Sequence, residues 1–179
     1  MNVTTRRTVM SALLGFSAGS VLCGTPLDIG AWRAFEAVEE AWIRDRHALL
    51  LEQCPDCRGP ASIDLDLKLA ELQRRGIQFE YLNKHQPAQL RGGLWELTWI
   101  PLRPRDVSRL LSTNAQYREN EDRIQRLTAT LRNNPHYDHF RTSQIRLWKT
   151  PEYRSAHRRY SGRLYELNRT YSGSVNGSP

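Results

Sequence analysis

Residues 30–53, GAWRAFEAVEEAWIRDRHALLLEQ, place Trp32, Phe35, Val38, Trp42 and Leu49 at spacings of three, four and seven, while Glu36, Glu39, Glu40, Arg44 and Asp45 fall largely elsewhere. Side chains three or four positions apart share one face of a helix, so the stretch reads as an amphipathic helix with an apolar stripe to bury. Asp28 stands upstream as a cap, and Pro55, Gly59 and Pro60 end the pattern around Cys54 and Cys57. A helix with one apolar stripe needs partners, so the rest of the chain must supply further helices or a sheet.

Downstream, SIDLDLKLAELQRRG (62–76) opens as an alternation, yet Leu65, Leu69 and Leu72 share a helical face and Lys68, Ala70, Glu71, Gln73 and Arg74 favour helix, with Gly76 as the stop. IQFEYLN (77–83) and LWELTWI (94–100) alternate bulky apolar with polar residues across Pro87, Gly92 and Gly93, the pattern of a hairpin. Helical spacing resumes in DVSRLLSTNAQYRENEDRIQRLTATLRNN (106–134), through Val107, Leu110, Leu111, Tyr117, Ile124, Leu127 and Leu131, and stops at Asn133-Asn134-Pro135. The expectation is a mainly α protein whose amphipathic helices pack as an irregular bundle, admitting a short β-hairpin around 77–100. Residues 25–171 are expected to form a single helical domain, 1–24 an export signal or N-terminal anchor, and 172–179 a flexible tail.

Composition agrees with a folded chain: 39% hydrophobic and 25% charged residues over 179 positions, with five Trp and seven Tyr, are enough to bury a core without help from metals or disulfides. At the N-terminus, MNVTTRR is followed by the uncharged seventeen-residue run TVMSALLGFSAGSVLCG, the organisation of a signal peptide. Thr5, Arg6, Arg7, Thr8, Val9 and Met10 resemble a twin-arginine export signal, with general secretory export as the competing route. Cys23 ends the run, and acylation there would give a lipid-anchored form, although Leu22 is larger than the residue that normally precedes a lipidated cysteine. The expected location is the periplasm or cell envelope.

The basic charge is uneven. Residues 132–179 carry +6, against −1 for residues 25–131 and +2 for 1–24. Within TPEYRSAHRRYSGRLYELNRTY (150–171), Tyr153, Ala156, Tyr160, Leu164, Leu167 and Tyr171 form an apolar stripe, and Arg154, Arg158, Arg159, Arg163 and Arg169 fall outside it. Guanidinium groups pair bidentately with phosphate or carboxylate, so Arg154, Arg158, Arg159 and Arg163 are the candidate binding residues for an anionic partner: a lipid headgroup, an envelope polymer or an acidic protein.

Cys54 and Cys57 fit three chemistries. Loss of Cys23 with the leader leaves an even pair in an oxidising compartment, which favours a short disulfide staple. A thiol-disulfide exchange site is the second, and zinc held by Cys54, Cys57, His136 and His139 is the third, although 78 residues separate the cysteine and histidine pairs. No Gly-rich phosphate loop, nucleophile elbow or paired carboxylates stand in a catalytic context, so the chain reads as a binding or structural component rather than an enzyme, with no cofactor expected.

One further stretch, QLRGGLWEL (89–97), is similar to a strand of the ribosome-dependent mRNA-interferase toxins of the RelE/HigB type. Tyr117-Arg118, His139-Phe140 and Lys149-Thr150-Pro151 follow in a compatible order, and Thr98 stands where that family carries Arg. The resemblance implies an alternative in which a cytosolic protein contacts RNA through Arg118, His139 and Lys149.

Overall fold

In the computed structural model, which describes residues 29–87, 90 and 102–172, the first amphipathic stretch is helix α1 (Ile29–Gln53), burying Trp32, Phe35, Ile43 and Leu50. It ends as the sequence indicates. Pro55 carries no backbone N–H, and the chain tightens into a 3-10 turn over Pro55–Cys57, with the Cys57 amide donating to the Cys54 carbonyl at 3.0 Å.

Helix α2 (Arg58–His85) starts at once, with Pro60 in its first turn, where no intrahelical donor is required. It folds back along α1. Trp32, near the start of α1, stacks on Phe79, near the end of α2, with ring centroids 4.8 Å apart, while Arg46 Nη2 lies 3.2 Å from Asp64 Oδ2 further along.

The length of α2 corrects two expectations. Ile77, Phe79 and Tyr81 alternate in sequence, yet residues 77–83 are helical; the first strand of the expected hairpin is absent, and its second, at 94–100, lies outside the described residues. The alternation arises because α2 is covered on two sides here. Ile77, Phe79, Tyr81 and Leu82 join Trp32 and Phe35 of α1 in one core cluster that also takes in Leu110 and Tyr117 from downstream helices. A helix buried over so wide an arc loses the narrow stripe that marks its period. None of the described residues lies in a strand.

Gly76, expected as a stop, sits mid-helix against α1. A Cβ placed there would lie 3.4 Å from Trp32 Nε1 and 3.6 Å from Glu36 Oε1, which is ordinary contact. Glycine weakens a helix interior by about 1 kcal/mol relative to alanine. Gly76→Ala is therefore expected to raise stability by up to about 1 kcal/mol, read as a higher urea midpoint at unchanged slope. A loss of stability would show that the Trp32 ring cannot accept the methyl group.

The long polar helix expected from residue 106 to Asn134 is in fact two, α3 (Pro104–Thr113) and α4 (Ala115–Arg132). Asn114 makes the break: its extended backbone leaves the first helix, and its Oδ1 accepts from the Tyr117 amide at 2.8 Å, capping the second. α4 runs antiparallel to α2, with Gln78 Nε2 donating to Tyr117 Oη at 3.0 Å and Asn120 Nδ2 donating to the Ala70 carbonyl at 2.9 Å. Two short connections lead through α5 (Tyr137–Leu147) to α6 (Pro151–Ser172).

Two apolar clusters occupy the bundle. Trp32, Phe35, Phe79, Leu110 and Tyr117 centre the first, and Leu50, Cys54, Cys57, Ile124, Phe140 and Leu147 the second. α6 packs chiefly on α1 and reaches both, through Tyr153 at one end and Leu164, Leu167 and Tyr171 at the other. No helix of the described residues is long and apolar enough to cross a membrane. The leader expected at 1–24 lies outside the described residues, as does most of 89–97 and all of 173–179; Ser172, assigned to the tail, closes α6.

Candidate functional site

The apolar stripe of α6 is where the sequence places it. Ala156 is buried and Tyr153, Tyr160, Leu164, Leu167 and Tyr171 are half-buried, so the helix turns this face to α1 and leaves Arg154, Arg158, Arg159 and Arg163 exposed. None of these four arginines has a carboxylate within 4.0 Å among the described residues. Two make only local contacts: Arg159 Nη1 donates to Ser155 Oγ at 3.2 Å, and Arg154 Nε donates to the Thr150 carbonyl at 3.4 Å.

They do not form one cluster. Arg159 and Arg163 border a groove of about 580 Å³ beside Val38 of α1, which also takes in Gly162 and Leu167. Arg154 and Arg158 border a second groove, of about 560 Å³, with Tyr153 and His157. The cations thus flank α6 on both sides, while Tyr165, 67% exposed, stands on the outward arc between Arg158 and Arg169.

α5 and the turn that follows it carry a further group of exposed residues, of which the sequence reading singled out only Lys149. Ile145 and Trp148 are 44% and 53% exposed, and Arg141, Arg146 and Lys149 around them are exposed too. Arg141, Ile145 and Trp148 are spaced by four and three, so they share one outward face. That spacing was present in the sequence, but burial decides whether an apolar residue at helical spacing is core or surface.

A buried polar contact fixes α6 against α1. Glu39, only 6% exposed, accepts from the Tyr160 hydroxyl, and Arg75 Nη1 approaches its other oxygen at 3.9 Å. Burial pushes the Tyr160 phenol well above its ordinary range, and the adjacent Glu39 carboxylate pushes it further, so it remains a donor through the ordinary pH range. Trp42 stacks on Tyr160 with centroids 5.0 Å apart and meets Tyr153 and His157 beside it. The sequence marks Glu39 as a polar-face residue; its burial comes only from the docking of α6.

At the other end of α1, Cys54 and Cys57 form a close pair, with Cα atoms 5.3 Å apart and sulfurs at bonding distance. Both are buried in the second apolar cluster. His139 Nε2, from α5, lies 3.2 Å from Cys54 Sγ, so the bundle joins residues 85 positions apart. The donor atoms of Cys54, Cys57 and His139 all lie within 4.8 Å of one another, and His136, the residue that precedes α5, is outside this group. No local spacing signals the meeting, because only the packing of Phe140 and Leu147 on the cysteine turn brings His139 there.

The residues tied to the toxin resemblance are dispersed in role. Arg118 Nη1 donates to the Leu111 carbonyl at 3.1 Å, His139 contacts Cys54, Lys149 is exposed in the α5–α6 turn, and no hydrogen bond or ion pair joins the three among the described residues. Compared with known proteins, the chain matches no family model, no curated protein and no solved structure.

Proposed function

We propose that this chain is an exported binding component of the cell envelope whose α5–α6 surface docks on anionic phospholipid headgroups. The observation that carries the reading is the set of four arginines on α6 that stay exposed with no carboxylate partner among the described residues. Charges left unpaired on a folded surface are free to meet phosphate, and each basic side chain near an anionic bilayer contributes about 1 kcal/mol.

Lipid is favoured over an acidic protein or polymer by Trp148, Ile145 and Tyr165, which add exposed apolar and amphipathic groups to a cationic surface. Trp and Tyr rings settle at the headgroup level, where one end of the ring is wet and the other apolar. The apolar face of α6 is already committed to α1, so contact is at the surface, by charge and by these few anchors, rather than by insertion of the helix.

The test is vesicle cosedimentation. The protein is expected to bind phosphatidylglycerol-containing vesicles and not pure phosphatidylcholine, and to lose binding as salt rises, since screening acts over about 8 Å at physiological ionic strength. Substituting Arg154, Arg158, Arg159 and Arg163 by Gln should weaken binding at least tenfold, about 1.4 kcal/mol, with thermal stability unchanged. Equal binding by the fourfold variant would remove the proposal. Export is checked separately by fractionation: replacing Arg6 and Arg7 with Lys should hold the chain in the cytosol if the twin-arginine route is used.

A further inference from the structure

We propose that, when Cys54 and Cys57 are reduced, the chain binds one zinc ion through Cys54 Sγ, Cys57 Sγ and His139 Nε2. The three donors come from two separate parts of the chain and already converge: all lie within 4.8 Å of one another, with His139 Nε2 3.2 Å from Cys54 Sγ. A tetrahedral zinc, with bonds of about 2.3 Å to sulfur and about 2.0 Å to nitrogen, needs donors roughly 3.3–3.8 Å apart. The site therefore needs only side-chain adjustment, since the cysteine Cα atoms at 5.3 Å are joined by a single turn.

The scaffold is rigid where it has to be. The Cys54 amide donates to the Leu50 carbonyl at 2.8 Å and the Cys57 amide to the Cys54 carbonyl at 3.0 Å, so both thiols project from a hydrogen-bonded turn. On the opposite side, Phe140 is 1% exposed in the same apolar cluster, and its burial sets the backbone position of its neighbour His139. His139 itself is exposed, which gives an ion an entry path and leaves water to complete the coordination.

Donor chemistry selects the ion. Two thiolates and one imidazole suit zinc and exclude magnesium or calcium, which prefer oxygen ligands. Binding releases two thiol protons to solvent as two zinc–sulfur bonds form and one neutral imidazole lone pair is donated, with no change in sulfur oxidation state. The disulfide withholds both thiolates, so the oxidised chain should not bind.

The experiment titrates cobalt(II), as a coloured substitute for zinc, into the full chain kept reduced by a phosphine. One equivalent is expected, with thiolate-to-cobalt charge transfer in the near ultraviolet and tetrahedral visible bands, both abolished by added zinc. His139→Ala, at an exposed position, should keep its helical circular dichroism. It should lose at least the roughly tenfold in zinc affinity that even an outer-shell partner is worth, while His136→Ala should match the unmodified chain. Absence of the charge-transfer band in the reduced, folded protein would overturn the proposal, as would unchanged zinc affinity in His139→Ala. Because both cysteines are buried, the histidine variants avoid the ambiguity of a cysteine variant that fails to fold.

Discussion

Replacing Phe35 with alanine is expected to cost about 3–5 kcal/mol of folding free energy, the range for a fully buried phenylalanine whose cavity cannot collapse. Phe35 is 0% exposed and lies in the cluster where α1, α2, α3 and α4 meet, with its ring 5.2 Å from that of Trp32. Truncation removes the ring's transfer energy and leaves a void lined by side chains from several helices. The aromatic pair adds about 0.5–1.5 kcal/mol to that loss. Against a total stability of about 5–15 kcal/mol for an ordinary domain, this is a large share. Leu111→Ala serves as the control, since Leu111 is 37% exposed and its truncation should fall within about 0.5 kcal/mol of neutrality. The check is urea denaturation followed by circular dichroism; a Phe35→Ala cost below about 1 kcal/mol would mean that the cluster repacks around the gap.

The contrast between these two residues shows what the sequence could and could not reveal. Trp32, Phe35, Val38, Trp42 and Leu49 announce α1 because one side of that helix faces the protein and the other faces water. α6 is legible for the same reason, with its aromatic stripe turned inward and its arginines outward. Where α2 is covered from two sides, the signal fails: Ile77, Phe79 and Tyr81 are all buried, and apolar residues at every second position imitate a strand. Gly76 misled for a related reason, since a glycine inside a helix, packed beside Trp32, looks the same in sequence as one that ends a helix. The break at Asn114 was readable, because an asparagine after Ser112 and Thr113 is a capping signal, but the apolar spacing of Leu110, Leu111 and Tyr117 runs across it.

The candidate sites divide in the same way. Exposure of Arg154, Arg158, Arg159 and Arg163 follows from helix geometry alone, whereas their distribution over two grooves depends on how α6 lies on α1. The spacing of Cys54 and Cys57 makes them a pair in any fold that keeps the turn. Selection of His139 over His136 is tertiary: the two are three positions apart, and the burial of Phe140 decides which one reaches the sulfur.

The link between α6 and the rest of the bundle gives the second large effect. Tyr160→Phe is expected to destabilise the protein by about 1.5–3 kcal/mol, the worth of a hydrogen bond to a charged acceptor when its loss leaves the acceptor buried. Glu39 would keep its carboxylate in a site 6% exposed, with Arg75 at 3.9 Å as the nearest compensating charge. That guanidinium is partly solvated, and a loose pair of this kind contributes about 0–1 kcal/mol, too little to replace the phenol. Glu39→Leu should be costly for the mirror reason, since the Tyr160 hydroxyl then loses its acceptor. Made together, Glu39→Leu and Tyr160→Phe exchange both polar partners for apolar groups, and the double variant should be near the unmodified stability. The double-mutant cycle therefore predicts a coupling of about 1.5 kcal/mol or more, measured by urea unfolding. Additive losses would mean that Trp42 stacking on Tyr160, rather than the hydrogen bond, holds α6 in place. The same variants separate docking from charge: Tyr160→Phe loosens the helix that displays the arginines but removes none of them, so at saturating anionic lipid it should still bind, with bound lipid recovering part of its lost stability.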